Sequence, residues 1–112
     1  MLKKDHRLTK KKEIDNVFKK GRGSYNNDVG VKVVSNQEQK SRIAIIVTTK
    51  VSKKAVERNK LKRKGAHIVK EYLPYFGDSC DVVVVFLPSS KGKDYSELRK
   101  SIYSHLKRLK VI

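Results

Sequence analysis

Cysteine, long apolar runs and acidic side chains are all scarce in this chain of 112 residues. The single cysteine, Cys80, has no partner for an internal disulfide. The chain is therefore not a disulfide-stapled secreted scaffold, and a lone thiol fits a reducing, cytoplasmic compartment with Cys80 buried as a small structural residue. No apolar run approaches the ~20 residues that a membrane-crossing helix requires. The opening stretch MLKKDHRLTKKK is basic but lacks the apolar segment of a secretory signal. No helix pairs its charge with a broad, bulky apolar face, so no membrane partner is expected. His6, His67 and His105 are far apart and have no ligand spacing among themselves or with Cys80, which argues against a zinc site. Nucleophile motifs and Gly-rich phosphate loops are missing as well. The few carboxylates mostly neighbour Lys or Arg and read as solvated ion-pair partners. Any catalysis this protein serves belongs to a partner.

Positive charge is what the chain has in excess: 28 Lys and Arg against 11 Asp and Glu, a formal net charge of +17. Solubility requires far less, whereas a polyanion such as RNA attracts such an excess. The length is that of one compact domain, residues 1–112, able to bury a core without metal or disulfides.

Periodicity predicts the elements. A first helix runs from an N-cap at Thr9 to Lys20, with Ile14, Val17 and Phe18 on one face and Gly21 after its last turn. Val29, Val31 and Val33 alternate as a half-buried strand, and Ser35 to Ser41 reads as a turn. Ile43 to Thr49 is an interior strand. A second helix spans Lys54 to Leu73, stopping near Pro74, with Leu61, Gly65, Ile68, Val69 and Tyr72 facing the sheet. Val82 to Leu87 is a strand covered on both faces. Asp94 and Glu97 form a capping box that opens a last helix with Leu98, Ile102, Leu106 and Leu109 inward. The expectation is an α+β single domain, a central mixed sheet of about four strands with helices packed on it, in the order α-β-β-β-α-β-α.

The strongest functional signal is AVERNKLKRK, from Ala55 to Lys64. Arg58, Lys60, Lys62, Arg63 and Lys64 crowd one helix, and between Arg58 and Lys64 no acid interrupts them. Ordinary solvated helices interleave both signs. Guanidinium forks grip phosphates bidentately and lysines follow a backbone as mobile charges, so this arc suits RNA. Asn59 either holds its neighbours or reads an RNA edge, and Lys53 and Lys54 extend the basic set upstream. Gly65 costs ~1 kcal/mol relative to Ala inside a helix, and its inward position predicts close packing against a bulky neighbour. Phe18 and Tyr25 are either core aromatics or exposed rings on which single-stranded bases stack.

These residues resemble the signature of the bacterial ribonuclease P protein family. RNKLKR follows Ala55-Val56; Arg7-Leu8 precedes a helix carrying Val17-Phe18-Lys19 and then Gly21; a strand led by Arg42 runs into Thr48-Thr49-Lys50-Val51. The resemblance covers essentially the whole chain, although Lys64-Gly65-Ala66-His67 departs from the aliphatic, arginine-bearing run common after the motif. It implies a protein subunit of ribonuclease P, an endoribonuclease in which a catalytic RNA subunit and the substrate hold Mg²⁺ and remove the 5′ leader of precursor tRNA. The protein alone is then expected to be inactive and to need no obligate protein partner. The implied RNA-binding set is Lys53, Lys54, Arg58, Asn59, Lys60, Lys62, Arg63 and Lys64, with Ile14, Phe18 and Tyr25 lining a leader cleft between sheet and first helix. The competing reading is a basic ribosomal-type RNA-binding protein or RNA chaperone with no catalytic partner. An autonomous nuclease lacks its acid cluster here, and a DNA-binding module lacks a helix-turn-helix arrangement.

Overall fold

The computed structural model describes residues 2–112. The strands are β1 (Arg22–Tyr25), β2 (Val29–Ser35), β3 (Arg42–Val47) and β4 (Cys80–Phe86), and the helices are α1 (Lys11–Lys20), α2 (Ala55–Tyr72) and α3 (Tyr95–Arg108). One mixed sheet has the order β1-β2-β4-β3. β2 pairs antiparallel with β1 and with β4, and β3 runs parallel to β4. A parallel pair cannot be joined by a tight turn, and α2 supplies the crossover.

β4 shows why the valine run is continuous. Val82, Val84 and Phe86 join the cluster under α2 and α3, which includes Leu61, Ile68, Val69, Leu98, Ile102 and Leu106. Val83 points the other way, into a smaller cluster with Leu8, Val17 and Ala44 under α1. Apolar side chains are required on both sides because α1 covers one face and α2 with α3 the other. Burying each of these side chains favours folding by about 1.5–3 kcal/mol.

Gly65 lets α2 pack closely on the sheet. A Cβ there would lie 2.8 Å from Cε2 of Phe86 and 3.1 Å from Cγ2 of Ile45. The expected close packing is present, and its bulky neighbour is Phe86. The predicted stripe of Leu61, Ile68, Val69 and Tyr72 is buried with it. At the far end of α2, Glu71 accepts from Tyr95 Oη at 2.6 Å and Arg99 Nε at 2.9 Å, which fastens α2 to α3. The Asp94 side chain accepts from the Glu97 N–H at the start of α3, as its sequence predicts.

One local expectation is corrected. Thr9 is not the N-cap of α1: that position is Lys10, without a side-chain cap bond. Leu8 N–H donates to Ile43 O at 2.8 Å, so the chain is still paired along the edge of β3 until just before the helix. Gly21 follows the last turn of α1 as expected, with an extended backbone, φ −76°. Glycine fits there because a Cβ would overlap Val17 O and lie 2.9 Å from Val33 O. Tyr25 ends β1, a strand whose sequence RGSY carries no apolar alternation to mark it.

Candidate nucleic-acid interface

The two ends of α2 differ. Its second half is held by the stripe and the Glu71 contacts, while its first half carries the basic arc. Asn59, Lys60, Lys62 and Arg63 are exposed, Arg58 and Lys64 are half-buried, and Lys53 and Lys54 are exposed just upstream. Among the described residues, none of these cations forms a salt bridge. Glu57, the one acid in this half of the helix, is turned elsewhere. It accepts from the buried Ser52 hydroxyl at 2.6 Å and lies 3.8 Å from Lys91 Nζ. The Ser52 bond, with Lys91 behind it, holds the Glu57 carboxyl below its ordinary range. The acid thus stays ionised without forming an ion pair with the arc, although the nearby charges of Lys54 and Lys60 also help to hold it down.

Ser52 also organises the start of the helix. Its Oγ accepts from Lys54 N–H at 3.2 Å, and its carbonyl accepts from Arg58 Nη1 at 3.0 Å. Arg58 is therefore partly a structural cation, whereas Lys60, Lys62 and Arg63 have no such engagement among the described residues. The loop before α3 adds charge that sequence reasoning did not assign. Lys91 and Lys93 line a shallow pocket with Lys60 and Lys64. Only the KGK spacing signalled them, and nothing in it tells that this loop lies beside α2.

The aromatic candidates lie on the opposite face of the sheet, beside α1. Ser24 points toward α3, where its Oγ bonds His105 Nδ1 at 2.7 Å, so the next strand residue, Tyr25, points to the α1 face. Tyr25 is 48% exposed, and its ring lies over Gly30, its partner in the β1–β2 register, where any Cβ would overlap the ring. Phe18 is 37% exposed, so it is not the core residue of α1; that role falls to Val17. Lys32 donates from Nζ to Phe18 O at 2.8 Å, with the same nitrogen 5.7 Å from the ring centroid, within cation–π range. Ile14 is half-buried against the Leu8–Val17–Ala44–Val83 cluster.

The tilt of α1 over this face is fixed by ion pairs. Arg42 grips Asp81 through Nε at 2.9 Å and Nη2 at 2.8 Å, and its Nη1 reaches Glu13 on α1 at 2.6 Å. The structure thus gathers the α2 cations on one side and Phe18, Lys32 and Tyr25 on the other. Ile14 alone of the aromatic-side candidates meets Lys62 and Arg63, in a groove at the edge of β3.

Among the described residues, no three His, Cys, Asp or Glu side chains gather where they could hold an ion. Nor is any helix among them long and apolar enough to cross a membrane.

A mixed sheet with an unneutralised basic helix on one face and exposed aromatics on the other defines a small RNA-binding domain. The family model described as Ribonuclease P matches residues 2–110. Curated relatives named ribonuclease P protein component include one from Bacillus cereus strain AH187, 32% identical, covering 96% of this chain and 93% of its own length. One from a Pseudanabaena species is 31% identical, covering 100% of this chain and 97% of its own length. Among solved structures, a Staphylococcus aureus RNase P protein mutant with defective mRNA degradation activity superposes with TM-score 0.89 at 27% identity, covering 97% of this chain and 92% of that one. The RNase P protein from Thermotoga maritima gives TM-score 0.80 at 28% identity, covering 91% and 96%. The chain belongs to the ribonuclease P protein family and serves as a protein subunit of that tRNA-processing ribonucleoprotein endoribonuclease.

Proposed function

We propose that α2 binds the RNA subunit of ribonuclease P while the α1 face receives the single-stranded 5′ leader of precursor tRNA. The observation that carries this reading is the basic half of α2, whose only acid is turned to Ser52 and Lys91. Lys60, Lys62, Arg63 and Lys64 meet phosphates, Lys53 and Lys54 extend the contact, and Asn59 offers a neutral donor and acceptor beside them. Arg58, braced on the Ser52 carbonyl, holds the helix start in place.

On the other face, Phe18 and Tyr25 offer stacking surface to leader bases and Lys32 offers charge to the leader backbone, with Ile14 flooring the cleft. Two polyanions meet in such a complex, and their repulsion is relieved by metal ions or by protein cations. The RNA and substrate hold the Mg²⁺ that hydrolysis uses. This chain positions and screens, and contributes no catalytic side chain.

Precursor-tRNA cleavage at low Mg²⁺ tests the reading, with a bacterial ribonuclease P RNA in the presence and absence of this protein. Cleavage at the mature 5′ end only when both are present is the expected result. Cleavage by the protein alone would place a nuclease on the chain, and no effect beside a matched RNA would leave only general RNA binding.

A further inference from the structure

A groove of about 370 Å³ opens along the outer edge of β3, within the ~300–1,000 Å³ typical of small-ligand sites. It touches Ile43, Ala44, Ile45 and Ile46 in succession. Consecutive strand residues point to opposite faces, so a cavity meeting all four runs along the strand's free edge. Leu8 and Ala66 close its two sides, while Lys62 and Arg63 stand at its rim.

The edge itself offers hydrogen bonds. Ile43 O accepts from Leu8 N–H at 2.8 Å, so Ile43 turns its polar backbone away from β4. Ile45, two residues on, turns its N–H and C=O the same way. Among the described residues, neither group has a partner on that side.

We infer that this groove is a slot for one unpaired nucleobase of the RNA that α2 grips. The inference rests on the RNA-binding reading of α2 and adds a base contact to its phosphate contacts. Aliphatic walls accept the two faces of a flat base. The adjacent donor and acceptor on Ile45 suit the paired donor and acceptor on a base's hydrogen-bonding edge, and Lys62 and Arg63 meet the flanking phosphates. The RNA subunit is the source rather than the leader, because two cations of the α2 arc line the groove and neither exposed ring, Phe18 or Tyr25, does; of the leader-side residues only Ile14 reaches it.

Ala66→Leu fills the slot without touching a cation. Its affinity for ribonuclease P RNA, measured across a salt series, should fall about tenfold with an unchanged slope of log Kd against log salt. Arg63→Ala should instead reduce that slope, since each phosphate contact contributes to it. A melting curve checks that Ala66→Leu is folded.

Titrating the isotope-labelled wild-type protein gives an independent readout. AMP should shift the amide signals of Ile45 and Ala66 and the methyls of Leu8 and Ile43, and ribose 5-phosphate should not. Wild-type affinity in folded Ala66→Leu overturns the slot alone, as does an equal response to ribose 5-phosphate. So does a response to an alternating Glu-Val pentapeptide without one to AMP, which would make the edge a peptide-pairing site. Failure of the wild-type protein to bind the RNA would overturn the RNA reading of α2 and the slot with it.

Discussion

Gly65 on α2 faces Phe86 on β4 so closely that a Cβ at Gly65 would lie 2.8 Å from the phenyl ring. Phe86 is 1% exposed and cannot swing aside. Gly65→Ala recovers ~1 kcal/mol of helix propensity but forces the interface apart, where overpacking costs about 1–3 kcal/mol. A net loss of stability of about 1 kcal/mol is expected in urea unfolding. Adding Phe86→Leu to Gly65→Ala should cost less than Phe86→Leu does in the wild type. Additive losses would show that the two residues do not meet.

Asp81 is buried and holds the half-buried Arg42 through paired bonds of 2.9 and 2.8 Å, and Asn36 adds a third at 2.8 Å. Removing Asp81 leaves the half-buried Arg42 with Glu13 as its one remaining acidic partner. Asp81→Ala should therefore cost about 3 kcal/mol, the lower end of what breaking a buried pair costs. Glu13, more exposed and bonded only to the outer nitrogen of Arg42, should cost about 1 kcal/mol as Glu13→Ala. Denaturant midpoints at constant m-value check both.

Phe18 separates fold from recognition. Because the ring is 37% exposed, with Lys32 Nζ 5.7 Å from its centroid, Phe18→Ala should leave the melting temperature nearly unchanged. Binding of precursor tRNA to the assembled ribonucleoprotein should weaken by about 1–3 kcal/mol, the worth of one stacked base, with mature tRNA unaffected. Equal losses for both ligands would take Phe18 out of the leader cleft.

His105 gives the fold a pH dependence. It is buried on α3, with Nδ1 bonded to Ser24 Oγ and Nε2 without a partner among the described residues. Burial, aided by the nearby charge of Arg108, pushes its imidazole below the ordinary 6.5. The unfolded chain then binds a proton that the folded chain refuses. Stability is complete above pH 6.5 and falls as the pH drops from there toward the folded value. Asp5, Glu57 and Glu71 are all held below their ordinary values and titrate lower still, which leaves the window between pH 5 and 6.5 to histidine. Melting between pH 7.5 and 5.5 should shift less in His105→Gln than in the wild type.

Much of this was legible from residue spacing because the relevant physics is local. The inward stripe of α2, the doubly covered β4 and the Asp94 cap each follow from side chains within a few turns. β1 was not legible: its alternation is of Gly23 and Tyr25 against Arg22 and Ser24, and what makes it a strand is β2 alongside. Arg42, Asp81 and Glu13 lie far apart in sequence, and no pattern announces that they meet. The basic arc was visible as charge, but its freedom from neutralisation was not. That depends on Ser52 and Lys91 drawing Glu57 aside. The groove depended on strand order, which leaves β3 at the sheet's edge.

An open edge strand is a hazard, since two copies of a chain can zip together along such edges into aggregates. Here the uncovered stretch around Ile45 is bordered by Lys62 and Arg63 on a molecule of charge +17. A second copy would bring the same cations against them. Before it meets RNA, the chain is thus guarded against itself by the very charge that later draws the RNA in.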